Sequence, residues 1–333
     1  MVDMSSDDLA LDSIEGIGPI IKTKLENAGI FTVLDVAVRG PSEIAEAVGV
    51  DLKRALVFST HARNRLSELD ILAKDFIPAS EIYKKRKNIE RISTGTKNLD
   101  ELLSGGIETQ AVTEFYGEFG SGKTQICHTL CVKVQLPKEK GGLDSGAAYI
   151  DTEGTFRPER IVDIAKSRGE DPDLILARIT VAKAYNSAHQ ELIVSELGRI
   201  IAKEKIKLVI VDSAVAHFRA EYLGRGTLSE RQQRLNRFMH LLVRTAETRN
   251  VAVVVTNQVQ SSPDVFFGDP AKPVGGHVVA HTSTYRIYLK KAGKNRIARM
   301  IDSPYHPERE TPFVLNIKGV DDPSEEVTRK RKT

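Results

Sequence analysis

Short apolar runs rich in β-branched residues alternate with longer amphipathic stretches over most of the chain after residue 95. The apolar runs are VTEFYG, AAYIDTE, RITVAKA, KLVIVDS and VAVVVTNQV, and the amphipathic stretches lie near 123–136, 158–169, 189–204 and 229–249. Near-continuous apolar strands that alternate with helices predict an α/β fold, in which helices cover both faces of a mostly parallel sheet. After residue 283 the helical pattern ends, and STYRIYLKKA, NRIARMIDS and PFVLNIKG predict antiparallel C-terminal strands at the sheet edge.

The first part of the chain has a different pattern. Residues 1–72 combine apolar positions at helical spacing with frequent glycine turns, which predicts a small all-helical domain. A linker over 73–98 contains Pro78 and the basic run KKRK. We place the α/β core at 99–320, and the polar residues 321–333 predict a disordered tail.

Charge and composition narrow the class of protein. The net charge is +3, with −5 in residues 1–75 and +8 in the remainder, so the larger part can accept a polyanion. Two cysteines provide no disulfide framework, which favours a reducing compartment. No apolar run is long enough to span a membrane, and the acidic N-terminus is unlike a secretory signal. These features predict a cytoplasmic protein with no membrane partner.

The sequence GEFGSGKT, residues 117–124, lies between a predicted strand and a predicted helix, which is the context of a P-loop. Its glycines let backbone N–H groups converge on phosphate oxygens, Lys123 would reach the β- and γ-phosphates, and Thr124 would bind Mg²⁺. ATP and Mg²⁺ are therefore the predicted cofactors. The predicted nucleotide-binding residues here are Gly117, Glu118, Phe119, Gly120, Ser121, Gly122, Lys123, Thr124 and Gln125.

Acidic residues at two other strand ends complete the predicted ATP site. Asp212 ends KLVIVDS and is predicted to bind the metal with Thr124. Glu153 follows AAYID and is the predicted catalytic base, assisted by Lys123, because strand ends gather around the γ-phosphate. Asp151 is equally suited to capping a helix or to supporting Glu153.

Two further groups of polar residues near the P-loop have alternative interpretations. Arg157 and Arg160 open the next helix; one of them, assigned as Arg160, could stack on adenine, and a surface salt bridge is equally compatible. Cys127, His128 and Cys131 have a superficial metal-ligand spacing, but residues four apart on a helix that faces a sheet are predicted to pack in the core.

Three longer stretches carry a family resemblance. FRAEYLGRGTLSERQQRLNRFMHLL, VVTNQVQSSPDVFFGDPAKPVGGHVVAHTSTYR and DSPYHPE resemble the strand-exchange recombinases of the RecA superfamily, with the archaeal members as the nearest likeness. The resemblance covers nearly the whole chain. It implies a RecA-like ATPase core that forms a helical filament on single-stranded DNA, binds ATP between neighbouring subunits and pairs the strand with a homologous duplex.

The resemblance implies DNA-binding residues in three places. Residues 218–234 resemble the family's first DNA-binding loop, and residues 261–276 resemble the second. EGIGPIIKTKLENAGI resembles a helix–hairpin–helix, whose turn suits a weak duplex contact near Lys22 and Lys24, although a pure packing role is also open. The implied DNA-binding residues are Arg219, Arg225, Arg231, Phe266, Phe267, Gly275, Gly276, Gly16 and Gly18.

The resemblance also implies residues that sense ATP and residues that join subunits. Gln258 matches the γ-phosphate sensor and has a catalytic role, and His281 matches a second ATP-responsive position. Further matches are the cap over the neighbour's ATP, Asp302 and Pro307, and the F-x-x-A oligomerisation motif of the linker, Phe76 and Ala79. In the family the motif enters a pocket on the adjacent core and the linker adds a strand to that neighbour's sheet.

The expected function is an ATP-dependent homologous recombinase, with DNA-dependent ATPase activity, that acts in recombination and double-strand-break repair. Expected partners are single-stranded DNA, homologous duplex DNA, other copies in a filament or ring, and recombination mediator proteins. We expect a cytoplasmic, nucleoid-associated archaeal protein, or a nuclear one if the source is eukaryotic. The alternatives are a ring-forming helicase or clock-type ATPase, which the helix–hairpin–helix and linker motif disfavour, and a non-catalytic paralogue, which the intact P-loop disfavours.

Overall fold

The computed structural model describes residues 10–69, 76–261 and 271–324. The chain divides into two compact units, one of residues 1–89 with 195–199 and one of residues 90–194 with 200–333. No helix in the described ranges has both the length and the apolar character needed to cross a membrane.

The first unit is helical where it is described. Thr32 and Asp35 form a capping box, and the Asp51 side chain accepts a hydrogen bond from the Arg54 N–H, so two helices begin at capping side chains. Leu25 and Phe58 are among the side chains buried in its core. The helices are α1 Pro19–Asn27, α2 Val33–Val38, α3 Pro41–Val48, α4 Leu52–Glu68 and α5 Ala79–Lys87.

The linker motif lies on α5 and the residues before it. Pro78 is the N-cap, no residue of the helix is buried, and the basic run occupies its last turn. Cations in the last turn are favourable because they face the negative end of the helix dipole. The sequence pattern did not predict this helix.

The second unit begins with β1 Arg91–Ile92, α6 Lys97–Leu102, β2 Ile107–Glu108 and β3 Ala111–Gly117. Next along the chain are α7 Lys123–Lys133, β4 Gly146–Asp151, α8 Pro158–Ser167, α9 Pro172–Ala177, β5 Ile179–Lys183, α10 Ser187–Ser195, α11 Leu197–Lys203, β6 Ile206–Asp212, α12 Ala216–Glu221, α13 Leu228–Arg249 and β7 Ala252–Ser261. Residues 195–199, at the end of α10 and the start of α11, are counted with the first unit. The last part contains β8 Ala271–Pro273, α14 Gly276–Thr282, β9 Tyr285–Ala292, β10 Asn295–Asp302, β11 Glu310–Asn316 and β12 Gly319–Asp321.

The main sheet has the strand order β12-β11-β10-β9-β3-β7-β6-β4-β5. Neighbours from β9 to β5 are parallel, and β9 to β12 pair antiparallel. The predicted α/β class and the antiparallel C-terminal strands are therefore confirmed. Residues on both faces of β3 and β4 are buried, which explains why these strands are continuous apolar runs.

The stretch 261–276, which resembles the second DNA-binding loop, has regular structure at both ends. β7 continues past Gln258 to Ser261, and β8 pairs antiparallel with its end, so that Val259 lies opposite Pro273. α14 begins at Gly276, within the same predicted stretch. The sequence pattern did not indicate these elements at the two ends of 261–276, because a three-residue strand is too short to produce a periodic pattern. Phe266 and Phe267 lie outside the described residues.

Candidate nucleotide-binding site

Four adjacent strands bring the predicted ATP residues to one edge of the sheet. β3, β7, β6 and β4 are neighbours and parallel, so their carboxyl ends meet. A cavity of about 310 Å³ lies at this edge. Its lining contains the predicted residues Phe119, Gly120, Gly122, Lys123, Thr124, Gln125, Glu153, Asp212 and Gln258, together with Thr155, Ser213, Thr256 and Leu315.

The P-loop is held close to the neighbouring strand. A side chain at Gly117 would place its Cβ 2.1 Å from the Leu289 carbonyl oxygen, so only glycine fits at this position. Lys123 is the first residue of α7, and its Nζ donates hydrogen bonds to the carbonyls of Gly117 (2.8 Å) and Glu118 (2.9 Å). Desolvation lowers the pKa of Lys123, although Asp212 opposes this effect. The loop therefore presents a cation and the N-terminus of a helix to the cavity.

Asp212 is buried and is oriented by three hydroxyl groups. Thr124 Oγ1 donates to its Oδ2 at 2.8 Å, and Tyr149 Oη donates to the same oxygen at 2.7 Å. Thr256 Oγ1 donates to Oδ1. The two predicted metal ligands, Thr124 and Asp212, are thus in direct contact, and the peptide bond from Asp212 to Ser213 is cis.

Sequence reasoning missed Tyr149 and Thr256. Each is a polar residue inside an otherwise apolar strand, a few positions before a strand end that carries chemistry, and that signal could have identified both. Tyr149 packs against the rings of His128 and Phe156. Burial lowers the pKa of His128 to about 4, so this ring is neutral in the folded protein near neutral pH.

Cys127 and Cys131 are buried in the core on α7, as predicted from their helical spacing. Burial raises the pKa of both thiols, which makes them poor nucleophiles and poor metal ligands.

Glu153 lies at the mouth of the cavity, where Gln258 Nε2 donates to its Oε1 at 3.0 Å. Desolvation raises the pKa of Glu153, and repulsion from Asp212 raises it further. Asp151 accepts hydrogen bonds from the backbone N–H groups of Glu153, Thr155 and Phe156. Asp151 therefore shapes the turn that carries Glu153, which favours the supporting role over a helix cap.

Arg160 is anchored beside the cavity. Its Nε donates to Gln125 Oε1 at 2.7 Å, and its terminal nitrogens donate to the carbonyls of Asn316 and Ile317. This network replaces the simple surface salt bridge that the sequence allowed. Arg157 instead donates to the carbonyls of Gly154 and Phe156 in its own turn.

Three residues with predicted ATP roles lie away from this cavity. His281 and Asp302 line a second cavity with Ser303 and Pro304. The stretch leading to Pro307 follows β10, and its His306 bonds Ser303 at 2.7 Å and Ser104 at 2.8 Å. One chain therefore does not bring Asp302, Pro307 or His281 to its own P-loop.

The first predicted DNA loop, residues 218–234, spans the end of α12, a short connection and the start of α13. Arg219 is exposed on α12, Arg231 is half-buried near the start of α13, and the backbone of Arg225 begins a 3₁₀ turn. The Arg234 side chain has partners within the chain, because its guanidinium pairs with Glu191 at 3.0 Å and donates to the Tyr222 hydroxyl.

The predicted helix–hairpin–helix turn precedes α1. Gly16 has φ 88° and Gly18 is the N-cap of α1, beside open space. The two nearby lysines have partners within the unit: Lys22 pairs with Asp12 at 3.0 Å and Lys24 donates to the Val48 carbonyl at 2.8 Å.

The remaining predicted residues lie at the ends of α14 and α5. A Cβ on Gly275, which has φ 89°, would press against Val279, Val215 and Leu235, whereas Gly276 faces open space. Phe76 is 95% exposed, and Ala79 is the first residue of α5.

A glycine-rich loop, a strand-end aspartate bonded to the loop threonine and a mostly parallel sheet define a P-loop nucleotide-binding protein with a RecA-like core. The family model Rad51 matches residues 85–323, and the chain belongs to the Rad51 family. It is 56% identical over 323 residues to the DNA repair and recombination protein RadA of Cenarchaeum symbiosum (strain A), an alignment that covers 97% of this chain and 81% of the relative.

Proposed function

We propose that this protein is an ATP-dependent homologous recombinase that assembles on single-stranded DNA and catalyses pairing and strand exchange with a homologous duplex. The observation that carries the proposal is the hydrogen bond between Gln258 and Glu153. It connects the residue best placed to act on water with the strand that leads into the second predicted DNA loop. Membership of the Rad51 family and the likeness to a recombination protein support the same function.

The residues at the strand ends fit an ATP·Mg²⁺ complex. Gly117 lets the P-loop begin directly against β9, and Lys123 can exchange its carbonyl partners for phosphate oxygens. Thr124 and Asp212 would hold Mg²⁺, which would neutralise charge on the phosphates. The hydrogen bond from Arg160 to Gln125 would hold the guanidinium beside the nucleotide base.

Hydrolysis requires a group that orients water and accepts its proton. Glu153 meets this need because its carboxylate lies at the cavity mouth and its pKa is raised, which makes it a stronger base than an ordinary glutamate. Asp151 holds the turn that presents it. When ATP binds, the Gln258 amide would break its hydrogen bond to Glu153 and donate to the γ-phosphate instead. Because Gln258 is on β7, this change of partner would couple the nucleotide state to that strand.

We place the remaining ATP residues on the neighbouring subunit. Asp302 and His281 share a cavity apart from the P-loop, and Pro307 follows them along the chain. A second copy that contacts the first cavity could supply all three. Each ATP would then be covered by two chains, which makes turnover dependent on assembly.

Assembly requires an anchor and a receiving surface. Phe76 is exposed, so its ring is accessible to a pocket on another copy. β5 is the terminal strand of the main sheet, and Val181, Tyr185 and Leu192 on and after it are exposed. Its open edge can accept a strand from the linker of another copy, with Phe76 packing on these apolar groups.

A strand-exchange assay with homologous single-stranded and duplex DNA tests the function. We expect joint molecules with ATP and Mg²⁺, none without nucleotide and none with a heterologous duplex. Unwinding of a forked duplex without pairing would contradict the proposal and favour a helicase.

Phe76→Ala tests assembly. We expect filaments seen by electron microscopy to be replaced by monomers or small oligomers, and the DNA-stimulated ATPase to fall with them. Tyr83→Ala, which also removes an exposed aromatic side chain from the linker helix, is the control. Unchanged filaments of Phe76→Ala would refute the anchor.

A further inference from the structure

A buried carboxylate lies in the middle of the main sheet, outside the nucleotide cavity. Glu114 is on β3, three residues before Gly117, and its side chain is fully buried. Burying a charge costs several kcal/mol unless it is paired and hydrogen-bonded, so its partners explain why it can be there.

Glu114 has partners on both neighbouring strands. Arg286 of β9 donates from Nε to Glu114 Oε2 at 2.7 Å, and its guanidinium lies over the Tyr116 ring. Asn257 of β7 donates from Nδ2 to Glu114 Oε1 at 2.8 Å. The carboxylate therefore joins three adjacent strands at the level just below the P-loop.

Asn257 carries the connection to the second predicted DNA loop. Its Nδ2 also donates to the Val274 carbonyl at 2.7 Å, and the Val274 N–H donates to the carbonyl of Gln258 at 2.9 Å. Residues 262–270 lie between these two points in the chain. The two hydrogen bonds hold the start and the end of that segment together, directly beside the predicted γ-phosphate sensor.

We infer that Glu114 and Asn257 are positioning residues that fix the base of the second DNA loop to the strand leading into the P-loop. Arg286 neutralises Glu114, Glu114 orients the Asn257 amide, and the amide holds Val274. An apolar side chain at position 114 would have a smaller desolvation cost, but it could not orient the Asn257 amide. Movement of Gln258 on nucleotide binding is thereby transmitted to Val274 and to Gly275, which packs tightly against Val215 and Leu235.

This inference rests on the proposed function, because it concerns how ATP controls DNA binding. Asn257→Ala is the sharpest test, since it removes both donated hydrogen bonds and leaves the Glu114–Arg286 pair intact. Gln135→Ala is the matched control. Gln135 is also a buried amide that donates two hydrogen bonds, in its case to the carbonyls of Cys131 and Ile175, away from the loop.

Affinity for a fluorescent oligothymidylate is measured on the full chain, with and without a non-hydrolysable ATP analogue, beside affinity for the analogue and the melting temperature. In Asn257→Ala we expect the analogue-induced gain in DNA affinity to fall about tenfold or more, with analogue affinity within about twofold of wild type, as for lost coupling between two sites. Gln135→Ala should melt at a similarly reduced temperature and keep the full gain.

The inference is overturned if Asn257→Ala keeps the wild-type gain, or if Gln135→Ala loses as much. If Asn257→Ala does not fold, Asn257→Ser is measured in its place, and the same loss is expected because serine is too short to reach both partners. A wild-type protein whose DNA affinity is independent of the analogue would instead contradict the proposed function itself.

Discussion

The P-loop edge of the sheet and the stretch 302–308 differ in how their residues are held. At the P-loop edge, Glu153, Asp212 and Gln258 lie on or just after β4, β6 and β7, and Lys123 begins α7 after the loop that follows β3. All four line one cavity. Asp302 instead lines another cavity, and the turn after it is held by bonds among Ser303, His306 and Ser104. The difference teaches that one chain brings together the residues proposed to bind phosphate, whereas the proposed cap would have to come from a second chain.

The two regions also differ in what fixes the positions of their residues relative to a bound nucleotide. Parallel pairing of Gly117 with Gln258 and of Asp151 with Asp212 places the proposed catalytic groups in register. The cap has no such register with the P-loop, so its position relative to a nucleotide would depend on a second chain. The predictions below test this division.

The largest effect is expected from Lys123→Ala. Loss of the cation should abolish measurable ATP binding and hydrolysis, because no other described side chain in the cavity lining is a cation. ATP affinity is measured by a fluorescent-nucleotide titration. Lys97→Ala, which removes an exposed lysine, should bind as wild type does. Retained ATP binding by Lys123→Ala would break the assignment of the first region.

Glu153→Gln should reduce the DNA-stimulated kcat by about 100- to 10,000-fold while ATP affinity is kept, as expected for loss of a general base. Since the pKa of Glu153 is raised, the carboxylate takes up its proton at a higher pH than an ordinary glutamate. The wild-type kcat should therefore fall as the pH drops through that raised pKa. A pH–rate profile tests this, and a variant with normal turnover would disprove the base.

Asp302→Ala should lower DNA-stimulated turnover about tenfold without changing ATP binding to isolated monomers. Asp302→Ala keeps an intact P-loop and Lys123→Ala keeps an intact cap, and each variant alone should be weak or inactive. In an equal mixture, about one interface in four joins the intact P-loop of one variant to the intact cap of the other on random mixing, so turnover should rise above that of either variant alone. Turnover of the mixture, compared with each variant alone, decides the question. No recovery would place both regions in the same chain.

The smallest effect is expected from Tyr149→Phe. It removes one hydrogen bond to Asp212 while the aromatic packing against His128 and Phe156 remains. One such bond contributes about 1 kcal/mol, so we expect an about fivefold higher Mg²⁺ concentration at half-maximal turnover. A magnesium titration of the ATPase measures it, with Tyr83→Phe as the control. An unchanged magnesium dependence would contradict a role for Tyr149 in Mg²⁺ binding.

Much of the site could be predicted from local sequence. The P-loop and the strand-end acids are contiguous motifs, and the alternation of apolar strands with helices predicts that their strands are parallel. Tyr149 and Thr256 were missed although each is a polar residue in an otherwise apolar strand, and Leu315 was missed because it reaches the cavity only through strand order. Helix α5 and the pairing of β8 with β7 were missed because both are short elements without a distinct period.

The sequence by itself determined the α/β class, the phosphate-binding loop and its acids, because each depends on residues close together in the chain. Only the tertiary structure decided that Asp151 supports the turn of Glu153, that Gln258 contacts Glu153, and that Asp302 lies in a separate cavity. Only it revealed the link from Glu114 through Asn257 to Val274. Such contacts depend on which strands become neighbours, and no local pattern encodes that order.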